Sequence, residues 1–379
     1  MRIPLIAKMF FAAVIGVALG LVLPVFGMRV LSTAQGLISQ YIKFLVPLII
    51  LGFVIPAIAD TGKGAGRALL LTMGIALAST LGAGFFSYGA ASTVLPSILD
   101  GTSLTVVEGI RTFPAYFSLT IPPPVNVVTA LVLSFIVGLG IVATKADGLS
   151  RACFQFRSIV EWSLAKTLVP VLPFYIMTVI ADLTASGRLT AVCGSAVKLA
   201  LCCLAINVVI LILQYAIAGL VARRNPLKAL VTMLPAYLTG WGTCSSAATI
   251  PVTLRQARKN GVSEETANLV IPLCANVHLA GSLANVVAYS AGILVMFGEP
   301  LSLGAYAHFI FMMSIVAVAS PGVPGGCVLA AGAFVDSILG FTPERYALMV
   351  AIYMALDGMG TACNLTGDGA VALIVDNAL

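Results

Sequence analysis

Charge is what this sequence has least of. Only 9% of its 379 residues are Asp, Glu, Lys or Arg, whereas 60% are hydrophobic and the mean hydropathy is +1.08. A soluble chain of this length needs far more polar surface, so the composition excludes an ordinary soluble globular protein. Apolar stretches of about 20 residues, long enough to cross a bilayer, recur from end to end. The sequence therefore predicts a multi-pass membrane protein.

Histidines and closely spaced cysteines are also scarce. The chain has two histidines, and its eight cysteines include no CxxC pair. Nearly all of these cysteines lie in apolar segments, which favours small buried side chains over a disulfide framework. The net charge of +6 comes from basic residues scattered among loops, so it gives no indication of nucleic-acid binding.

The apolar runs predict an all-α membrane fold with eight transmembrane helices and two interrupted segments. Residues 229–252 are apolar at both ends but rich in Gly, Thr, Ser and Pro in the middle, and 303–340 is centred on SPGVPGG. Lipid cannot satisfy such backbone, which favours re-entrant hairpins buried in protein over kinked helices. The eight spans are predicted at 9–27, 37–59, 68–95, 123–144, 160–182, 191–222, 264–298 and 343–375.

The basic residues predict the orientation. With the N-terminus inside and each hairpin returning to its own side, thirteen Lys and Arg fall in inner loops, whereas the outer loops hold only Arg29, Arg111, Arg188 and Arg345. Such a bias indicates cytoplasmic N- and C-termini in the inner (cytoplasmic) membrane. The order hairpin, helix, hairpin, helix is typical of transporters that are built from inverted repeats.

The last span carries a polar stripe. Asp357, Thr361, Asn364 and Asp368 follow the spacing i, i+4, i+7, i+11, which places them on one face of a helix. Intramembrane carboxylates are functional by default, and no Lys or Arg follows Arg345 to neutralise them. The stripe therefore predicts a site for a cation or a substrate ammonium group. The alternative is a pair of protonated aspartates that serve only helix packing.

Four segments of the last 140 residues carry a family resemblance. They read CSSAATIPV (244–252), ANVHLAGS (275–282), GVPGG (322–326) and DGMGTACNLTGD (357–368). In this order they resemble the dicarboxylate/amino acid:cation symporter family, which has the glutamate-transporter fold. Residues 1–220 match it mainly in the layout of the spans. Several residues of the family motifs are replaced in this chain. It therefore resembles a divergent member of the family, close to the serine/threonine:sodium symporter branch.

The resemblance implies a homotrimer in the lipid bilayer that works by an elevator mechanism. Its scaffold would comprise about 1–65 and 120–185, and its transport domain about 66–119 and 190–379, with hairpins at about 226–258 and 302–340. The implied ligands are a small amino acid and Na⁺ as the coupling ion, with no other cofactor. The implied substrate-binding residues are Ser245, Ser246, Ser282, Val323, Gly325, Asp357, Gly360, Thr361 and Asn364. The implied sodium-binding positions are Cys274, Asn276, His278, Val318, Ser320, Asn364 and Asp368, largely through backbone except at Asn364 and Asp368.

Two departures from the family pattern predict the substrate class. Gly360 stands where members that take acidic substrates carry an arginine, and Cys244 replaces another arginine at the first hairpin tip. Without either cation, an acidic side chain would bring an unpaired charge into a low-dielectric site. The sequence therefore predicts a neutral amino acid, and Ser282 as a hydroxyl partner favours serine or threonine.

Two further departures concern the coupling ion. Ala280 replaces an aspartate that serves an additional sodium site in many members. His278 replaces an asparagine, so either it titrates and ties transport to protons, or it is a neutral core histidine whose carbonyl alone serves the ion.

Other functions stay open as alternatives. A dicarboxylate or proton-coupled carrier of the same fold comes next, followed by a channel or a metal-ion transporter that uses Cys244, Cys274, His278, Cys327 and Cys363. An enzyme is not expected, since the Ser245–Ser246 pair has no His or Lys nearby in sequence.

Overall fold

The structure is a computed structural model, and it describes residues 5–61, 67–99, 112–317 and 325–379. Over these residues the regular structure is helical and contains no strand, which confirms an all-α fold. The α-helices are α1 Leu5–Val22, α2 Val25–Thr61, α3 Arg67–Leu99, α4 Val127–Thr144, α5 Asp147–Ser163, α6 Val169–Ala185, α7 Leu189–Ala222, α8 Pro226–Thr232, α9 Leu234–Thr243, α10 Ser246–Lys259, α11 Glu264–Val277, α12 Ala280–Met296, α13 Leu303–Ala317, α14 Gly326–Ser337 and α15 Pro343–Ala378.

Several of these helices are long and apolar enough to cross a membrane. Within the described residues five stretches qualify, namely α2, α3, α7, the α11–α12 pair and α15, and the α5–α6 pair makes a sixth if it is one bent span. Three shorter apolar helices, α1, α4 and α13, accompany them. The protein is therefore a multi-pass membrane protein, and the count of eight spans with two re-entrant hairpins stays a prediction.

The first two spans differ from the predicted boundaries. α1 ends at Val22 and α2 begins at Val25, so α2 includes residues 25–27, which were predicted in the first span, and 28–36, which were predicted between the spans. Pro24 explains the break, because it has no N–H to continue α1. Its carbonyl instead accepts the first hydrogen bond of α2 from the Met28 N–H at 3.1 Å.

The span predicted over 264–298 is present as one stretch that can cross a membrane, Glu264–Met296, but it consists of two helices instead of one. α11 ends at Val277, and His278 (φ −100°, ψ 97°) leaves the helical conformation before α12 begins. In a continuous helix the amides of Gly281 and Ser282 would bond to carbonyls four residues earlier. They bond instead to the side-chain oxygen of Asn364 on α15, which replaces that turn of helix.

The packing centres on two buried helices. α12 is buried along nearly its whole length, and α15 is buried continuously from Asp357 to Leu373, as expected for helices at the centre of a bundle. α3, α7, α9 and α11 pack around this pair, whereas α1, α2, α4, α5 and α6 pack mainly on one another. The division into a scaffold and a transport domain stays a prediction.

Each interrupted segment contains two helices that pack against each other. α9 and α10 pack against each other and are separated by Cys244 and Ser245, and α9 also lies against α15. α13 and α14 likewise pack together. The chain between them, 318–324, lies outside the described residues, and so do the predicted positions Val318, Ser320 and Val323.

Candidate functional site

The four polar residues of the stripe lie on one continuous buried helix. Asp357, Thr361, Asn364 and Asp368 of α15 are at most 6% exposed. A buried carboxylate is costly unless it is paired or hydrogen-bonded, so the contacts of each one indicate its role.

Asp357 is tied to the second interrupted segment. Its Oδ2 accepts the backbone N–H of Gly325 at 2.8 Å, at the start of α14. A helix N-terminus favours a carboxylate. Gly325 has φ +76°, a conformation that suits glycine, and a side chain there would meet Met354. The hydroxyl of Tyr353 also lies within reach of the Asp357 carboxylate.

Thr361 lies one turn after Asp357. Its Oγ1 donates to the Asp357 carbonyl at 3.2 Å, and the side chain is buried. The hydroxyl thus lies beside the carboxylate-bearing turn, where its oxygen can accept a further donor.

Asn364 bridges α15 and the start of α12. Its Oδ1 accepts the N–H groups of Gly281 at 2.8 Å and Ser282 at 3.1 Å, and its Nδ2 donates to Ser282 Oγ at 2.8 Å. Both lone pairs of Oδ1 are thereby engaged, while one Nδ2 hydrogen is left for another acceptor. This arrangement suits a role as donor to a carboxylate better than a role as sodium ligand, although both roles stay predictions.

The break between α11 and α12 releases backbone oxygens. Because Gly281 and Ser282 bond to Asn364, the carbonyls of Val277 and His278 lose the amides that an unbroken helix would supply. They lie at the C-terminal end of α11, where the helix dipole favours a cation. The Cys274 carbonyl, by contrast, accepts the His278 N–H at 2.9 Å.

Asp368 is linked through His278 to side chains of two further helices. Its Oδ1 lies 2.9 Å from His278 Nδ1, and both side chains are fully buried. On the other side of the imidazole, His278 Nε2 lies 3.0 Å from Ser79 Oγ of α3. Gln214 Nε2 of α7 donates to the same hydroxyl at 2.9 Å.

The donor and acceptor chemistry of these groups determines the direction of each hydrogen bond between them. The Gln214 amide nitrogen is only a donor, so Ser79 accepts from it and keeps its own hydrogen for His278 Nε2. The other ring nitrogen, Nδ1, then carries the hydrogen that bonds to Asp368. A neutral imidazole can satisfy every one of these contacts, and the choice between a titrating and a neutral His278 stays a prediction. We call this set, Gln214, Ser79, His278 and Asp368, the carboxylate relay.

The second oxygen of Asp368, Oδ2, is buried and is left without a hydrogen-bond partner among the described residues. A buried carboxylate oxygen without a partner calls for an explanation, and a bound cation is one. Carboxylate and backbone carbonyl oxygens are the ligands that a hard cation such as sodium prefers, so this oxygen and the released carbonyls of α11 are candidate ligands.

The remaining predicted residues are dispersed around this centre. Ser245 and Ser246 are half-buried at the start of α10, where Ser245 Oγ accepts the Ala248 N–H at 3.3 Å. Asn276 is exposed, and its amide donates to the Pro272 carbonyl of its own helix at 3.0 Å.

Gly360 lies against α12. A methyl group at this position would come within 3.0 Å of Asn285 Nδ2, 3.1 Å of Ser282 Cα and 3.2 Å of Ser282 Oγ. Close packing against α12 is therefore one reason for glycine at position 360, and the predicted substrate specificity is another. A larger residue at position 360 requires both α12 side chains to move.

Three residues of this region were not predicted from the sequence. Asn285 follows Ser282 at i+3 in an apolar helix, which is a signal that could have been read. Ser79 and Gln214 are isolated polar residues in different spans, and no spacing in the sequence connects them. Only the packing of α3 and α7 on α11 and α15 brings them to His278.

The cysteines of the motif segments stay separate from one another. Cys274 and Cys363 are fully buried, and Cys363 Sγ points to the Asn207 carbonyl at 3.8 Å. Over the residues that the structure describes, no three or more His, Cys, Asp or Glu side chains come together as metal ligands would.

A multi-pass helical protein with carboxylates buried beside a broken helix has the architecture of a secondary transporter. The chain belongs to the sodium:dicarboxylate symporter family, whose model matches residues 5–378. It is similar to the serine/threonine transporter SstT of Streptococcus suis, with 27% identity over 345 residues that cover 86% of this chain and 93% of the relative. It is also similar to the serine/threonine transporter SstT of Acinetobacter baumannii, with 25% identity over 390 residues that cover 99% and 97%. The predicted family membership is confirmed, and it extends over the whole chain.

Proposed function

We propose that this protein is a secondary active symporter that couples inward sodium flow to the uptake of a neutral amino acid of the serine or threonine kind. The observation that carries the proposal is the buried Oδ2 of Asp368, unpartnered among the described residues, beside the broken α11–α12 helix. Unwound backbone and half-helix ends hold coupling ions in secondary transporters. The family description and the names of both relatives support sodium and serine or threonine.

Asp357 and Thr361 hold the substrate amino group. An ammonium group supplies the counter-charge that α15 lacks, since the sequence has no Lys or Arg after Arg345. The contact between Asp357 and Gly325 places this carboxylate at the second interrupted segment. Substrate binding at Asp357 can thereby influence the position of that segment, as a gate requires.

Asn364 and the start of α10 hold the substrate carboxylate. The unused Nδ2 hydrogen of Asn364 is one donor. The N-terminus of α10 at Ser246 supplies backbone N–H groups, which favour an anion. The side chain then lies towards Gly360 and Ser282, where no described residue supplies a cation for an acidic group.

Asp368 holds sodium with its second oxygen. Released carbonyls of α11 complete the set, and the carboxylate relay orients the side chain so that Oδ2 faces the ion. The protein works as a homotrimer in the inner membrane, with cytoplasmic termini and an elevator movement of the transport domain. These last features rest on the family fold.

Uptake into proteoliposomes tests the proposal. With an inward sodium gradient, serine, threonine or alanine accumulates, and replacement of sodium by choline abolishes the accumulation. Uptake that is unchanged in choline contradicts sodium coupling. Accumulation of aspartate or succinate in place of serine would establish the dicarboxylate alternative.

A proton-coupled carrier is the second candidate, and His278 is the observation that favours it. Its ring connects Asp368 with Ser79 and Gln214, which also line a cavity of about 480 Å³ between α3, α7 and α15. If protons drive transport, a pH gradient accelerates uptake in the native protein and no longer does so in His278→Asn. A response to pH that is the same in both proteins removes this candidate.

A further inference from the structure

Asn285 carries a buried donor that the described residues leave unused. It lies on α12, one turn after Ser282, and is 1% exposed. Its Nδ2 has no hydrogen-bond partner in the part of the chain that the structure describes. A fully buried amide donor without a partner calls for an explanation, and a hydrogen bond to a bound substrate is one.

The neighbouring helices determine where this donor points. Asn207 of α7 donates to Asn285 Oδ1 at 2.9 Å, so the oxygen end of the amide faces α7. The nitrogen end therefore faces α15, where it would lie 3.0 Å from a methyl group at Gly360. Asn207 is in this sense a positioning residue for Asn285.

The hydroxyl of Ser282 lies close to the same position, Gly360. Its Oγ would lie 3.2 Å from that methyl group and accepts a hydrogen bond from Asn364 Nδ2. Its own hydrogen-bonding capacity is not exhausted by this contact. Because position 360 is glycine, no side chain at that position stands against these two polar groups, whereas any side chain there would have to displace them.

We propose that Asn285 is a specificity-determining residue that donates a hydrogen bond to the side-chain hydroxyl of the substrate beside Gly360. This inference rests on the proposed function, because it needs the amino group at Asp357. Asp357 and Gly360 are three residues apart, which is about 4.5 Å along a helix and matches the reach of a small amino acid. Serine and threonine therefore bring their hydroxyl to Asn285.

A hydroxyl suits this position better than other small side chains. It accepts from Asn285 Nδ2 and can donate to Ser282 Oγ at the same time. The methyl group of alanine leaves the buried amide unpaired, and a carboxylate adds a charge with no cation beside it among the described residues. Sites that hydrogen-bond a substrate hydroxyl discriminate strongly against analogues that lack it.

The test compares serine with alanine in one protein sample. Affinities are measured by isothermal titration on the purified protein at saturating sodium, for the native chain and for Asn285→Leu. The native protein binds serine more tightly than alanine. Asn285→Leu loses about threefold to tenfold in serine affinity while alanine affinity stays the same, which is the usual contribution of one hydrogen bond.

Controls separate recognition from stability. Asn285→Ser, which keeps a polar group in a smaller side chain, replaces Asn285→Leu if the latter does not fold. Asn260→Ala removes another buried amide, one that donates to the Ala229 carbonyl at 2.9 Å far along the chain from Ser282. It is expected to lower the melting temperature without changing the ratio of serine to alanine affinity.

The possible results are distinct. An unchanged affinity ratio in Asn285→Leu overturns the role of Asn285. Equal affinities of the native protein for serine and alanine also overturn it and leave the proposed function intact. Binding of neither amino acid in sodium contradicts the proposed function itself, and this inference with it.

Discussion

Asp357 and Asp368 are two carboxylates on one buried helix, about three turns apart, and they have different kinds of partner. Asp357 accepts a backbone N–H from Gly325, at the start of α14. Asp368 accepts a side-chain N–H from His278, which Ser79 and Gln214 hold from two further helices. The first partner belongs to a segment interrupted by Gly and Pro, and the second to packed transmembrane helices.

The difference indicates a division of labour along α15. Under the proposed function, the carboxylate that is bonded to Gly325 at the start of α14 serves the substrate. A carboxylate held by a chain of side chains keeps a fixed geometry, as an ion site requires. The two ends of the stripe can therefore be tested separately by changes that keep their shapes.

The largest effect is expected at Asp357. In Asp357→Asn the new amide oxygen still accepts the Gly325 N–H, but the negative charge that pairs with the substrate ammonium is lost. We expect serine affinity to fall by about 100-fold or more, as for other buried charge pairs that lose one partner. Isothermal titration with serine at saturating sodium measures it.

Asp376→Asn is the matched control for this change. Asp376 also lies on α15, but its carboxylate accepts the Ser263 N–H at the cytoplasmic end that we predict for this helix. Serine binding should survive there. Native-like serine affinity in Asp357→Asn would remove Asp357 from the substrate site.

Asp368→Asn comes second. The amide oxygen still accepts from His278, while Oδ2 is replaced by an NH₂ group that cannot bind a cation. The sodium concentration for half-maximal serine uptake should rise by about tenfold to 100-fold, with serine binding largely recovered at high sodium. A sodium dependence like that of the native protein would show that Asp368 does not hold the ion.

The sequence predicts that these two aspartates share one face of a helix, but it does not predict their different partners. The spacing of Asp357, Thr361, Asn364 and Asp368 predicts one polar face, because helical periodicity is local and α15 continues unbroken through it. Their partners are not local. Gly325, His278 and Ser79 reach α15 through the packing of other helices, which no short-range pattern encodes.

The break between α11 and α12 is a second feature that local sequence patterns do not predict. Residues 264–298 are apolar without Gly at the break, so periodicity predicts one continuous span. The interruption at His278 depends on Asn364, whose side chain takes over two amides of the next turn. A tertiary contact thus decides a secondary-structure boundary. The family motifs indicated that this region matters but not that the helix ends there.

A smaller effect is expected from Ser79→Ala. The variant keeps His278 and Asp368 but removes the hydroxyl that accepts a hydrogen bond from Gln214 Nε2 and bonds to His278 Nε2. If the relay orients Asp368, half-maximal sodium should rise by about threefold to tenfold at unchanged serine affinity in saturating sodium. Ser79→Thr, which retains the hydroxyl, should restore the native value.

Ser134→Ala provides a comparison for that variant. Ser134 is fully buried, and its hydroxyl donates within its own helix, to the Ala130 carbonyl at 2.7 Å. Sodium dependence should stay unchanged in this protein. If half-maximal sodium shifted by the same amount in Ser79→Ala and Ser134→Ala, Ser79 would act through general packing and not through the carboxylate relay.

The smallest effect is expected at Asn276, which the family resemblance placed among the sodium-binding positions through its backbone. Its side chain is exposed and donates to the Pro272 carbonyl of its own helix, away from the Asp368 end of the stripe. Asn276→Ala removes that amide and leaves the backbone in place, so half-maximal sodium should change by less than about twofold, the usual range for a surface substitution. A larger shift, measured in the same uptake assay, would mean that the Asn276 side chain itself contacts an ion and that the sodium site extends beyond Asp368 and the end of α11.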